Sequence, residues 1–237
     1  MKVMGYEIFD KNLNEIEFKD KTVINTINPH SYVVAKEDGE LKRALLESDV
    51  LVPDGSGIVL AAKFLKGKKI KKIAGADVHK FLLEKAQREK LKVFYMGSSQ
   101  NTLNKIKERL KNEYPDITAG FYSPPFKESF SEEENREIVE KINEFKPDIL
   151  FIGMTAPKQE KWLNRHKDEI YFNIASSVGA VFDFYAGNVK RPPQWIINLH
   201  LEWLFRFLQE PKRLWRRNFI STPLFLFDML NEKIKKS

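Results

Sequence analysis

The sequence predicts an α/β protein, a Rossmann-like, mostly parallel sheet with helices on both faces, followed by a basic amphipathic helical appendage. Three observations predict it. Between Thr22 and Gly179, short apolar or β-branched runs alternate with helical patterns of ten or more residues, the signature of consecutive βα units. Each of those runs ends in small or polar residues, which parallel strands would gather on one edge of the sheet. Beyond Gly187 the composition turns basic and aromatic. The expected division is an α/β domain over residues 1–187 and a helical appendage over 188–237.

Residues 21–29 read as a β-branched strand stopped by Asn28-Pro29, and 31–46 then carries one helical pattern. Residues 49–52 form a second apolar strand ending in Pro53-Asp54-Gly55-Ser56-Gly57, with a helix from Ile58 to Leu65. Gly75 to Arg88 places Val78, Phe81, Leu82 and Ala86 at helical spacing. Residues 91–97 read as a strand with a Gly97-Ser98-Ser99 turn, followed by a helix from Asn101 to Tyr114. A short strand is expected over 117–122. After the Pro124-Pro125 loop, Ser131 and Glu134 have capping-box spacing for a helix reaching Phe145. A strand over 148–154, a helix from Ala156 to His166 and a strand from Asn173 to Val178 complete the series. There is no internal repeat and no low-complexity segment.

The chain has 237 residues, of which 42% are hydrophobic and 31% charged, enough for one large core. It lacks cysteine, which removes disulfides and thiolate metal sites from consideration and suits a reducing compartment. The first residues are charged rather than apolar, and no uncharged apolar run approaches the roughly 18 residues of a spanning helix. The expectation is a protein neither secreted nor membrane-spanning. A net charge of +7 favours anionic partners.

Asp54 is the candidate catalytic group, a carboxylate at a strand tip, flanked by glycines that let a ligand approach the backbone. A helix-capping aspartate in an Asp-Gly turn is the competing reading. Thr26, Asn28, Gly55, Gly97, Ser98, Gly153 and Gly179 line the same expected edge. Backbone N–H groups and helix N-termini there favour a phosphate-bearing ligand. Gly97-Ser98 is a candidate for uracil, ribose or phosphate, or is simply a βα turn. Lys158 and Gln159 open a helix and are candidates for holding diphosphate, whereas Glu160 and Lys161 read as its solvated face. No Gly-x-Gly-x-x-Gly follows the first strand, and no Walker lysine pattern occurs. No two aspartates are separated by one residue and the four histidines have no ligand spacing, so no metal or other cofactor is expected. His30, beside the pocket strand, is a candidate second acid/base or acceptor contact, though a lone histidine after Asn-Pro reads more often as a surface residue at a helix start.

The region from Lys190 to Arg217 holds seven basic residues against Glu202 and Glu210, interleaved with Trp195, Trp203, Phe205 and Phe207. Packing on the domain, a nucleic-acid surface and an interfacial membrane helix are all compatible with it. The apolar stretch Phe219 to Leu230 favours membrane over nucleic acid, since phosphate contacts have no use for it. Away from a bilayer, a homo-oligomer is the other way to cover that surface.

Several segments, in this order, carry a resemblance to a known family: 26–30 (Thr-Ile-Asn-Pro-His), 52–57 (Val-Pro-Asp-Gly-Ser-Gly), 73–77 (Ile-Ala-Gly-Ala-Asp), 153–162 (Gly-Met-Thr-Ala-Pro-Lys-Gln-Glu-Lys-Trp), 178–183, 186–193 and 201–213. On them the chain resembles the bacterial WecG/TagA/CpsF glycosyltransferases, builders of polysaccharide and wall teichoic acid. The resemblance implies transfer of an N-acetylmannosamine-type or related acidic sugar from a UDP-sugar to an undecaprenyl-diphosphate-linked sugar. The reaction would be inverting and metal-independent, at the cytoplasmic face of the membrane. It places Asp54 at the general base, Thr26 and Asn28 in the sugar pocket, and Gln159 on the substrate. Arg206, Arg213 and Arg216 match basic residues that reach over the site from a membrane-associating appendage. One departure is Lys72, where some members carry arginine, a point charge replacing a bidentate fork. A non-catalytic nucleotide-binding module held to membrane by the tail remains the alternative from another class.

Overall fold

The computed structural model describes residues 1–189, 202–209 and 211–235. A small antiparallel hairpin, β1 (Lys2–Val3) and β2 (Tyr6–Glu7), turns through Met4 and Gly5, both at positive φ. It was not anticipated, because two-residue strands have no periodicity to read. The main chain then runs β3 (Thr22–Ile27), α1 (Pro29–Glu37), α2 (Gly39–Leu46), β4 (Val50–Pro53), α3 (Ser56–Lys66), α4 (Gly75–Glu89) and β5 (Lys92–Gly97). It continues through α5 (Gln100–Glu113), β6 (Thr118–Tyr122), α6 (Glu132–Phe145), β7 (Ile149–Gly153), α7 (Lys158–His166), β8 (Ile174–Ser177) and α8 (Val181–Tyr185). The later helices are α9 (Glu202–Gln209), α10 (Pro211–Arg216), a π-helical turn (Arg217–Ser221) and α11 (Thr222–Ile234).

Six strands form one sheet in the order β4-β3-β8-β7-β5-β6, every pair parallel. The α/β expectation is met, with helices on both faces as parallel sheets require. On one face α4, α5 and α8 cover Ile24, Val52, Tyr95 and Phe151. On the other, α1 to α3 and α11 cover the β3–β4 end through Ile27 and Leu51, and α6 and α7 cover Phe94, Leu150 and Ala175. Asp49 and Asp148 sit at strand N-termini and stitch neighbouring strands: Val23 N donates to Asp49 Oδ2 at 3.0 Å and Lys92 N to Asp148 Oδ2 at 2.8 Å. Those two carboxylates are structural and lie at the edge opposite Asp54.

The single helix expected over 31–46 is two. Asp38 leaves the helical region at φ −106°, ψ 97°, and its side chain accepts from Leu41 N at 3.0 Å, capping α2. An aspartate outcompetes helix continuation there because its carboxylate satisfies the next helix's orphan N–H. The capping box on α6 forms as expected, with Ser131 N donating to Glu134 Oε2 at 2.7 Å.

In the core, His79 Nε2 lies 2.8 Å from Tyr95 Oη, so each buried polar group satisfies the other. Burial pushes the imidazole pKa from 6.5 down to about 3, with a smaller contribution from Arg109. Between those values the unfolded chain binds the proton and the folded one does not, so stability is full above pH 6.5 and is lost as pH falls toward 3. At pH 4.5 this group alone should remove about 3 kcal/mol, at about 1.4 kcal/mol per pH unit. The denaturant midpoints of wild type and His79→Gln, compared at pH 7 and 4.5, should show the wild type losing more by that margin. Parallel slopes would assign the acid sensitivity elsewhere.

Candidate active site

The connection after β5 leads outward to β6, whereas that after β7 leads the other way to β8, so the strand tips part into a crevice between β5 and β7. Gly97 and Gly153 face each other in register there. Gly97 has φ 117°, and a Cβ on it would come within 2.7 Å of the Gly153 carbonyl carbon. Glycine is required by both conformation and space. Gly153 in turn has Phe182 of α8 laid directly on its Cα, with a Cβ falling 2.6 Å from ring atom Cγ. Gly153→Ala should therefore cost about 1–3 kcal/mol by overpacking. For a chain of this size that lowers Tm by about 5 °C in a thermal melt, and an unchanged Tm would mean Phe182 has room to move.

At the other end of the edge, Asp54 N donates to Ile27 O at 2.9 Å, continuing the β3–β4 ladder and setting Asp54 beside Asn28. Asn28 caps α1: its Oδ1 accepts from His30 N and Ser31 N, both at 3.0 Å. Its Nδ2 has no hydrogen-bond partner among the described residues and remains available to a ligand. Gly55, at φ 93°, begins α3 without a side-chain cap. A Cβ there would lie 4.0 Å from that of Asn28. Lys72 and Ile73 cross over the β4 tip, where Ile73 N donates to Pro53 O at 3.0 Å. The chain then enters α4 at Gly75, packed against Thr26, Val178 and Val181. Thr26, Asn28, Asp54, Gly55 and Lys72 are thus brought together around the β3 and β4 tips.

Gln159 and Lys158 are placed differently from one another. Gln159 is buried beneath the β8 turn, its Oε1 accepting from Met154 N at 3.2 Å and its Nε2 donating to Glu160 Oε1 at 2.8 Å. Glu160, expected on a solvated face, is also buried, and burial raises its pKa. The correction has a plain cause: the first turn of α7 is pressed against β7 and β8, so the helix position that faces the sheet is the one Glu160 occupies. Lys161 is half-buried and paired with Asp38 and Glu40 at 3.0 and 3.1 Å. Lys158 turns away toward the 123–130 loop, its Nζ donating to Lys127 O at 2.7 Å and lying 3.4 Å from the Phe130 ring centroid. Desolvation lowers its pKa. Ser98, at φ 59°, accepts at its carbonyl from Ser123 Oγ at 2.8 Å, while Ser99 caps α5.

The C-terminal helices return to this edge. Phe225 of α11 is fully buried, beside Gly57 of α3 and edge-on to Tyr32 of α1 at 5.3 Å. Lys36 pairs with Asp228 at 2.6 Å. His30 is half-buried rather than exposed, its Nδ1 2.8 Å from Ser221 Oγ in the π-helical turn. Its pKa is lowered by burial first, then by Arg217 and Arg216. The cationic end of α10 therefore stands within electrostatic reach of the α1 N-terminus that Asn28 caps. Ser221 and Arg217 had not been singled out; only the docking of α11 brings them here. The side chains of Arg206 and Arg213 lie outside the described residues, as do residues 190–201 with the Lys190–Pro193 segment and Trp195. Among the described residues no three of His, Asp and Glu cluster as metal ligands would.

A family model for the glycosyl transferase WecG/TagA/CpsF family matches residues 3–237. The chain belongs to that family. It is 32% identical over 222 residues to the N-acetylglucosaminyldiphosphoundecaprenol N-acetyl-β-D-mannosaminyltransferase of Bacillus subtilis (strain 168), covering 93% of this chain and 84% of that protein. The identically named protein of Bacillus spizizenii is 32% identical over 210 residues, covering 89% and 79%. That of Staphylococcus aureus (strain MW2) is 29% identical over 216 residues, covering 90% and 82%. As a WecG/TagA/CpsF member the protein is a glycosyltransferase, and its candidate residues lie along the C-terminal strand edge, Asp54 at the β4 end and Gly97 and Gly153 at the crevice. No helix among the described residues is long and apolar enough to cross a membrane.

Proposed function

We propose that this glycosyltransferase moves an N-acetylmannosamine-type sugar from a UDP-sugar to an undecaprenyl-diphosphate-linked sugar, in cell-surface polysaccharide or wall teichoic acid synthesis. The observation that carries the reading is the placement of Asp54 beside Asn28 at the strand edge, in a chain aligned over most of its length with relatives named for that transfer. In this reading the sugar lies over the β3–β4 tips. The diphosphate, bonded to the anomeric carbon, lies beside the sugar, and the nucleoside extends along the strand edge toward the Gly97–Ser98 turn, four strand spacings or about 19 Å away.

Asp54 accepts the proton of the acceptor hydroxyl as that oxygen attacks the anomeric carbon from the face opposite UDP. The bond to the UDP oxygen breaks, the leaving group takes the electron pair, and the anomeric centre inverts. Arginines of the appendage, Arg206, Arg213 and Arg216, meet the charge gained by the diphosphate, in place of a metal ion. Thr26, Asn28 and Lys72 hold the sugar, and Gln159 steadies the β7 turn from below. The acceptor's lipid places the work at the inner face of the bacterial membrane, with the appendage as the peripheral contact.

The test is UDP release from a panel of UDP-sugars with a lipid-diphosphate-linked N-acetylglucosamine acceptor, run with and without EDTA. Acceptor-dependent release from a UDP-N-acetylmannosamine donor, unchanged by EDTA, is expected. Release abolished by EDTA would remove the metal-independent mechanism, and release from a different donor would replace the sugar.

A further inference from the structure

Helix α3 starts at the Asp54-Gly55 turn and runs parallel to α11, with Gly57 against Phe225 at one end and the Phe64 ring 5.8 Å from Lys233 Nζ at the other. The outward faces of both helices are apolar. On α3, Leu60 is 46% and Phe64 39% exposed; on α11, Phe227, Leu230 and Ile234 are 63, 49 and 73% exposed. Since α11 buries Phe225 and Met229 on its opposite side, these residues form one ledge rather than scattered surface positions.

Charge surrounds the ledge on the α3 side. Residues 56–73 contain six lysines and neither Asp nor Glu. Lys68 pairs with Asp10, while Lys63, Lys66, Lys69 and Lys71 are exposed and enter no ion pair among the described residues. Apolar and aromatic side chains beside unneutralised lysines suit an anionic bilayer, whose acyl boundary takes the first and whose headgroups take the second. A second copy of the same face suits it poorly, because symmetric pairing has only Glu232 and Asp228, the latter paired with Lys36, to set against four exposed lysines.

We propose that α3 and the lysine-rich loop after it are a second membrane-binding element, which together with α11 seats the α/β domain itself on an anionic lipid surface. This rests on the reading of the appendage as a membrane contact and adds the catalytic domain to it. Because α3 begins beside Asp54, the ledge holds the β4 tip next to the headgroup layer, where a lipid-linked diphosphate presents its sugar.

The experiment is co-sedimentation of the full chain with vesicles of phosphatidylglycerol and phosphatidylcholine in equal parts, and of phosphatidylcholine alone. Three variants are compared: Leu60→Ser with Phe64→Ser; Lys63, Lys66, Lys69 and Lys71 all to Gln; and Phe227→Ser with Leu230→Ser on α11. At about fivefold per lysine near an anionic surface, the lysine variant should bind mixed vesicles about 600-fold more weakly if all four reach the headgroups and at least about 25-fold if two do, with an unchanged melting transition. The Leu60/Phe64 variant should lose about tenfold. If only the α11 variant loses binding, this inference falls and the appendage reading stands. If wild type binds neither vesicle, both fall. A wild-type dimer in velocity sedimentation that Leu60→Ser with Phe64→Ser converts to monomer, at constant vesicle affinity, would assign the ledge to self-association and overturn the proposal.

Discussion

Asp54→Asn is expected to reduce sugar transfer by about 10²–10⁴-fold, the usual contribution of a positioned general base, while leaving donor binding and the melting transition nearly unchanged. Asn keeps the shape of the side chain, and the strand-tip bond from the Asp54 backbone N–H to Ile27 O is independent of it. What is lost is the carboxylate's charge and with it the ability to take a proton. On the activation barrier the effect corresponds to about 3–5 kcal/mol at 1.36 kcal/mol per decade. Turnover with the lipid-linked acceptor is the measurement, alongside calorimetric titration of UDP. A variant retaining a tenth or more of wild-type turnover would remove the carboxylate from the proton transfer and return Asp54 to the role of a turn residue.

The second large effect is expected from Phe225→Ala. The ring is fully buried between Tyr32 and Gly57, and removing a buried phenyl group costs about 3–5 kcal/mol. Much of what fastens α11 to α1 and α3 passes through this side chain, with Met229, the Lys36–Asp228 pair and the Lys233–Phe64 contact beside it. Amides of 222–234 should exchange with solvent faster. If the appendage supplies cations to the leaving diphosphate, transfer should fall at least about tenfold, the loss of one charge-assisted contact, while the α/β domain keeps its own cooperative transition. Faster exchange with unchanged turnover would show that docking of the tail is not needed for the reaction.

The strands and most helices were legible because their patterns are local. Val23 and Ile27 serve one face and Ile24 the other, in a β-branched run that ends at Asn-Pro, and Ser131 announces its helix three residues before Glu134 answers it. The β1–β2 hairpin was too short to announce itself. Asp38 reads as one more polar position on a continuing helix, and only the bond its carboxylate accepts from Leu41 N separates α1 from α2. Glu160 shows the same limit at the site: a charged residue at helical spacing reads as solvated, and only packing of α7 against two strands reveals that it is buried and bonded to Gln159.

The sequence by itself determined the alternation of strands and helices, the gathering of glycines and polar residues at strand ends, the candidate carboxylate and the change of character after Gly187. These are properties of neighbouring residues, and propensity, capping and periodicity act over a few positions. Only the tertiary structure decided the strand order that opens the crevice at Gly97 and Gly153, the burial of Gln159 and Glu160, and the return of Phe225, Ser221 and Arg217 to α1. Such contacts join residues up to 193 positions apart, as between Tyr32 and Phe225. They form because an apolar helix face must find a partner wherever the fold leaves one, and no local pattern in the chain says where that is.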